Sequence, residues 1–407
     1  MRDNDAPLLM DVSRLVWRQW AGVRPTGIDR ICMAWMAHFG TRAQATVLHR
    51  HGRHILRAGA SRELFALLAD ETPAPVIATR LRLARWVARH GLSGLASPAG
   101  GGRPWLNIGH TGLDLPGLET WCSAADVKPV LMVHDLIPLT HPEFCRAGEP
   151  ERHRQRMRTL LRISKAIIGN SQHTIDVLGA FAEAEQLPQA PTLVAWPGTQ
   201  RLPLPAQRPE NAYTDFVILG TIEGRKNHLL LLDIWQQLIR RLGTAAPRLV
   251  IIGRRGWACD DVLARLDSGE GGDHVVETGP LSDGAIAAHL AGARALLFPS
   301  FAEGYGLPLL EALAAGVPAI AADLPVFREI GQGIPLMLPP DDVEAWMAAI
   351  SGYAQSDSAS RAAQIARLKA FKAPDWAGHF ARVDAFLGGI GPFSPETAPP
   401  PAPVRPG

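Results

Sequence analysis

Short apolar runs rich in Val, Ile and Leu recur along the chain, separated by longer stretches whose apolar residues return every three or four positions. In the first half the runs are LLMDV (8–12), WLNI (105–108), PVLMV (129–133), AIIG (166–169) and LVAW (193–196). The second half repeats the rhythm with FVILG (216–220), LVIIG (249–253), HVVET (274–278), ALLF (295–298) and PAIAA (318–322). Runs of this kind, without strict polar alternation, suit parallel strands covered on both faces. Strand and helix thus alternate from end to end, and two doubly wound, Rossmann-like α/β sheets facing a cleft are the economical prediction.

Between the two series lies WPGTQRLPLPAQRPENAY (196–213), where prolines and polar residues replace the rhythm. The predicted organisation is therefore a first domain over 1–197, a linker over 198–213, a second domain over 214–372 and a terminal helix over 373–388. In that helix Asp375 caps an apolar face made by Trp376, Phe380, Val383 and Leu387 at i, i+4, i+7 and i+11. The tail over 389–407 is too rich in proline and too poor in apolar side chains to offset its ordering entropy, and is expected to be disordered.

Composition narrows the function classes. A length of 407 residues suits two domains of about 150 to 200 residues each. Forty-one Lys and Arg against 39 Asp and Glu leave a formal charge of +2, so no net field recruits nucleic acid. The four cysteines show no C-x-x-C spacing, which speaks against a zinc site or a disulfide framework. The start, MRDNDAPLLMDVSRLVW, has polar residues where a signal peptide needs an apolar core, and no run of about 18 apolar residues occurs. A cytoplasmic chain that does not span a membrane is expected. Two arginine-rich stretches, TRLRLARWVARH (79–90) and ERHRQRMRTLLRISK (151–165), set basic side chains beside Leu, Trp and Met. Each is either a solvated helix face or a surface held against anionic lipid.

Candidate chemistry is densest in FPSFAEGYGLPLLEALAAGVPAIAAD (298–323). A buried strand ends near Ser300, the chain turns through Glu303 to Gly306, and a helix begins near Pro308, which tolerates the first turn because its missing N–H would be unpaired there anyway. Gly316 and Pro318 stop that helix after about two turns. Gly304 and Gly306 carry no Cβ, so an anion can approach their backbone at a helix N-terminus. Glu311 would project beside a phosphate and accept hydrogen bonds from ribose hydroxyls, with Glu303 reaching the other end of the ligand. Either glutamate alone would ordinarily be solvated; the combination points to a ligand. A dinucleotide fingerprint would need glycine where Leu309 stands, and no Walker loop is present. In LGTIEGRKNHLLLLDIW (219–235) a turn with Gly220 and Gly224 delivers Arg225 and Lys226 together beside a helix start, as a diphosphate requires.

EGYGLPLLEA resembles the E-x7-E signature of retaining glycosyltransferases with the GT-B fold, in the large family usually called GT4, and the Arg225–Lys226 segment is similar to that family's G-x-x-x-x-R-K-N element. The resemblance implies that Glu303 lies near the donor hexose and Glu311 binds the ribose. It places Gly304, Tyr305, Gly306 and Leu307 around the sugar and diphosphate, and Gly220 beside the cations that receive the leaving phosphate. In PVLMVHDLIPLTHPE it places His134 near the donor sugar; Asp135 capping the next turn, with His134 as a packing residue, is the plainer alternative. HTGLD (110–114) is assigned to the acceptor side. RPTGIDR (24–30) looks like the loop after the first strand that approaches the donor phosphate, which brings in Gly27, while Thr26 and Asp29 equally read as a T-x-x-D helix cap. TGIDR and HDLIPLTHPE look most like bacterial mannosyltransferases of surface polysaccharide synthesis. The implied reaction needs no cofactor and no metal: a hexose passes from a nucleotide-diphosphate sugar (GDP-mannose or a UDP-hexose) to a glycan or lipid-linked acceptor, with a terminal helix crossing back to the first domain. The rival is a non-catalytic sugar-nucleotide-binding scaffold, which would have no need of a leaving-group cation pair.

Overall fold

The structure is a computed structural model and describes residues 6–23, 25–50, 52–70, 72, 75–91, 99–206 and 214–390. The proline-rich residues 391–407 and the linker residues 207–213 lie outside the described residues.

Two sheets organise the chain. The first contains β1 (Leu8–Asp11), β2 (Ala43–His49), β3 (Gly52–Ile55), β4 (Arg103–Asn107), β5 (Val127–Val133), β6 (Ala166–Gly169) and β7 (Thr192–Val194) in the order β3-β2-β1-β4-β5-β6-β7. All pairs are parallel except β2 with β3, an antiparallel edge hairpin. The second contains β8 (Asp215–Leu219), β9 (Arg248–Ile252), β10 (Val275–Gly279), β11 (Ala295–Phe298), β12 (Ala319–Ala322) and β13 (Leu336–Leu338), ordered β10-β9-β8-β11-β12-β13 and wholly parallel.

Successive strand residues feed opposite layers, which is why the runs are continuously apolar. Val130 and Met132 of β5 enter one core with Trp35 and Phe39, whereas Leu131 and Val133 enter the other with Trp105 and Leu160. Val217 of β8 faces Leu309 and Phe327, and Phe216 and Ile218 face Trp235 and Trp346. The strand order reverses between β1 and β4 and again between β8 and β11, and ligands in open α/β sheets bind beyond the carboxyl ends of strands at such reversals.

The sequence pattern predicts ten of these strands and misses β2, β3 and β13. β2 escapes because Gln44 and Thr46 are polar yet fully buried: Gln44 accepts from Arg103, and Thr46 accepts from Trp105 Nε1 at 2.8 Å.

The terminal helix, Trp376–Gly388, follows the second sheet in sequence but packs on the first. Phe380, Val383 and Leu387 are buried in the cluster that contains Trp35 and Phe39. Its start is fixed by Asp375, which accepts from Gly378 N at 2.7 Å, and Pro374 O accepts from Thr199 N at 2.8 Å.

Candidate active site between the two sheets

Loops from the carboxyl ends of both sheets line one cleft of about 1460 Å³. On the second-sheet side, β8 leads through Gly220 to Arg225 and Lys226, held in a short turn that ends at Asn227. Asn227 takes a left-handed conformation (φ 57°) and donates from Nδ2 to Pro299 O and Pro340 O at 3.2 and 2.7 Å, which ties this turn to the loop after β11. That loop presents Glu303 to both cations. Glu303 Oε1 accepts from Lys226 Nζ at 2.5 Å and from Ser300 Oγ at 2.8 Å, and Oε2 lies 2.8 Å from Arg225. Arg225 also pairs with Glu223 at 2.8 Å, so two cations and two carboxylates form a nearly closed set. Lys226 Nζ additionally lies 4.5 Å from the Phe298 ring centre, a cation–π contact.

Burial alone would raise the Glu303 carboxyl; Arg225 and Lys226 outweigh it and hold the group down at about 2. Burial lowers Lys226, and Glu303 draws it part of the way back. Glu311 is different. Burial raises its carboxyl to about 7, only partly opposed by Arg30, whose guanidinium reaches it at 2.9 Å from helix Gly27–Phe39 of the other half. Arg30 also contacts Asp283 at 3.1 Å. The eight positions from Glu303 to Glu311 therefore do not bring two carboxylates to one spot; they send one to the Arg225–Lys226 pair and the other to Arg30.

On the first-sheet side, His134 follows β5 and is buried, with Nε2 at 2.6 Å from Ile108 O. That contact assigns the proton to Nε2, because a carbonyl can only accept. Nδ1 is then a bare acceptor, and among the described residues it has no hydrogen-bond partner. Burial lowers the ring to about 4, so it is neutral at neutral pH. His110 lies beside it at 5.1 Å between ring centres, with His153 at 6.3 Å from His110. Gly27 opens the helix that carries Arg30, and a Cβ there would lie 3.1 Å from Leu307, so the two meet across the cleft. Asp29 accepts from Thr26 N at 2.6 Å, the reciprocal arm of a helix cap, and pairs with Arg14 and Arg18.

Gly304, Tyr305 and Gly306 all line the cleft, and packing adds a second constraint on each. The space beside Gly304 is filled: a Cβ would sit 2.5 Å from His134 O and 2.8 Å from Asp135 Cβ, so this glycine lets the halves approach each other. Gly306 has φ 111°, and its missing Cβ makes room for Phe327, 2.7 Å away. Its absent side chain serves the helix start and the core. The Tyr305 side chain is likewise buried, with its hydroxyl donating to Pro197 O at 3.0 Å, which leaves only its backbone for the cleft. Sequence reasoning also missed Arg30 and Glu223. Nothing in a linear pattern announces that Arg30, 281 positions from Glu311, would meet it; Glu223 stands two residues before Arg225 and was legible as a nearby carboxylate.

Comparison with known proteins agrees with this architecture. Residues 214–356 match the family described as glycosyl transferases group 1. An O-antigen chain mannosyltransferase B of Escherichia coli is 37% identical over 141 residues, which cover 34% of this chain and 36% of that protein. A serotype-specific mannosyltransferase WbdA of Escherichia coli is 28% identical over 229 residues, 51% of this chain and 28% of that one. The chain thus spans about a third of the length of these relatives. The structure of Anabaena Alr3699/HepE in complex with UDP and glucose aligns with a TM-score of 0.61 at 14% identity, covering 94% of this chain and 99% of that one. The chain has the GT-B fold, and the match to the glycosyl transferases group 1 family lies within its second half, over residues 214–356.

Proposed function

We propose that the protein is a retaining glycosyltransferase that moves a hexose, mannose in the first instance, from a nucleotide-diphosphate sugar to a hydroxyl of a glycan or lipid-linked acceptor in polysaccharide synthesis. It would act in the cytoplasm, at the inner face of the membrane, with no cofactor and no metal. The observation that carries this reading is the Arg225–Lys226–Glu303 set, with Lys226 and the Glu303 carboxylate buried, in a cleft between two α/β sheets.

Cleaving the bond from sugar to diphosphate leaves negative charge on the departing phosphate. In this reading the diphosphate lies against Gly220, Arg225 and Lys226, whose charges are fixed before the reaction and need no reorganisation during it. Glu303, held ionised far below neutral pH, cannot donate a proton; it accepts hydrogen bonds from the hexose and opposes positive charge developing on the ring. His134 offers Nδ1 as an acceptor to a sugar hydroxyl. Glu311 exchanges Arg30 for the ribose hydroxyls as the donor enters. The acceptor hydroxyl attacks from the face that the phosphate leaves, and the phosphate takes its proton, which retains the anomeric configuration. Relatives named as mannosyltransferases favour a GDP-mannose donor, whereas a structural neighbour solved with UDP and glucose keeps UDP-hexoses in the comparison.

The test is turnover. Lys226→Ala should lower kcat by about 100- to 1000-fold, the usual loss for one preorganised charge at the leaving group, with a smaller loss of donor affinity and a lowered but still cooperative thermal transition, since Arg225 continues to pair with Glu303. A donor panel of GDP-, UDP-, ADP- and dTDP-sugars read by thermal shift identifies the nucleotide, since ligand at 100 times its Kd stabilises by about 2.7 kcal/mol. Undiminished turnover in the variant would overturn the leaving-group role, and a donor that binds without any transfer would favour the scaffold.

A further inference from the structure

The two arginine-rich helices look alike in sequence and differ in their surroundings. In helix Glu149–Ile163 the arginines are matched by acids: Arg152 and Arg156 by Glu149, Arg154 and Arg158 by Glu185, and Arg162 by Glu119. Their charge is spent within the protein. Helix Val76–His90 carries four arginines and no acidic residue of its own. Arg82 pairs with Asp70 and Arg89 with Glu63, but among the described residues no carboxylate pairs with Arg80 or Arg85.

Only part of the apolar surface of this helix faces a core. Leu83 is buried and Trp86 Nε1 donates to Ala60 O at 3.2 Å, which fixes the inward face. Ile77, Leu81, Ala84 and Ala88, at i, i+4, i+7 and i+11, form a second stripe on the opposite side, with Ile77 70% and Leu81 53% exposed. A surface helix normally turns charges outward. Here an apolar ridge stands outward with arginines on both flanks, an arrangement suited to lying in a lipid interface with guanidinium groups at headgroup level. The surface continues onto the neighbouring helix Ser13–Ala21, where Trp17 and Trp20 are about half exposed and Arg80 donates to Trp20 O at 2.7 Å. Trp17 and Val23 also line the rim of the cleft.

We infer that the outward face of helix Val76–His90, with Trp17 and Trp20, docks on an anionic lipid surface and sets the cleft mouth against it, so that a lipid-linked acceptor enters from the bilayer. This rests on the glycosyltransferase reading for the nature of the acceptor, but the docking stands on the exposed ridge and its arginines alone. Among the described residues no helix is long and apolar enough to cross a membrane, so the contact lies in the interface plane.

The full chain should be sedimented with vesicles of phosphatidylglycerol mixed with phosphatidylcholine, and with phosphatidylcholine alone, at about 0.1 M salt, where charges still act over about 10 Å. Binding should be at least about tenfold stronger to the anionic vesicles. The double variant Ile77→Glu, Leu81→Glu should lose most of it, Arg85→Glu should weaken it, and Arg152→Glu on the other arginine-rich helix should leave it unchanged. Thermal stability and the response to donor sugars, measured on each variant, report folding and the cleft separately from docking. Wild-type protein that stays in the supernatant, or a double variant that sediments like wild type, would sink the proposal even with donor binding intact. So would a wild-type dimer that the double variant converts to monomer without any vesicle binding, which would make the ridge a contact between copies. A chain that docks on vesicles but binds no donor would instead leave this inference standing and remove the enzymatic one.

Discussion

Glu303 and Glu311 share one loop and helix yet respond to pH in opposite ways. Glu303, held at about 2, contributes stability that is complete above the ordinary value of 4.5 and disappears as pH falls through about 2. Glu311, raised to about 7, keeps a proton that the unfolded chain releases above 4.5; its contribution is complete below 4.5 and is lost as pH rises through about 7. The donor-free protein at pH 8 therefore holds an unfavourable buried carboxylate. Glu311→Gln should raise unfolding stability at pH 8 by up to about 3 kcal/mol and give a much smaller gain at pH 5, while weakening donor binding at both. Urea unfolding of both proteins at the two pH values checks this, and a gain independent of pH would remove the buried-carboxylate explanation. A destabilised resting site that a ligand relieves is a common sign of function. In the sequence, these residues were legible as types and spacings. Their partners were not, because Arg30 reaches Glu311 only after two separate sheets have folded and met.

At the scale of elements, glycines separate what local pattern can tell from what packing decides. The turn before helix Leu307–Ala314 was readable from Glu303-Gly-Tyr-Gly and Pro308, and Gly306 with φ 111° sits where only glycine is comfortable. Its neighbour Gly304 has no unusual φ to betray it, since its constraint comes from the backbone of His134 in the other half. Gly304→Ala should destabilise by about 1 to 3 kcal/mol, the cost of overpacking a rigid contact, and should lower turnover by moving Glu303. Gly284, in helix Asp283–Gly292 with open space around it, gives the contrast: Gly284→Ala should stabilise by about 0.4 to 1 kcal/mol through the unfolded chain. Equal effects of the two substitutions, measured by denaturant unfolding, would mean that the approach of the halves imposes no constraint. The strands follow the same logic. Ten carried continuous apolar runs, whereas β2 hid behind Gln44 and Thr46, whose partners Arg103 and Trp105 are supplied by β4.

For the whole molecule, chain order and packing order disagree at one point, and that point couples the halves. Helix Trp376–Gly388 is the last of the described elements but completes the first core. Phe380 stacks on His38 at 4.0 Å between ring centres and on Trp376 at 5.5 Å, and meets Trp35 and Phe39 edge-on at 5.8 Å each. Asp384, one turn on, accepts from Arg42 at 3.0 Å and lies 2.9 Å from His38 Nε2. Periodicity alone shows an apolar face on this helix; which core receives it depends on where the chain returns after Pro374. Other ties run between the halves near its start, where Glu329 accepts from Gln172 N at 2.8 Å and from Trp196 Nε1 at 2.7 Å. Phe380→Ala should cost about 3 to 5 kcal/mol, as for other large aromatic truncations in a core. The loss should fall on the sheet distant in sequence: hydrogen exchange should quicken in β1 and in helix Gly27–Phe39, while β8, β11 and β12 keep their protection. Protection lost first from β8 and β11 would place the helix with the second sheet energetically, whatever it touches. If instead the first sheet loosens alone, the halves are held in register by an element that belongs to one in sequence and to the other in packing, and closure of the cleft must work against that strap.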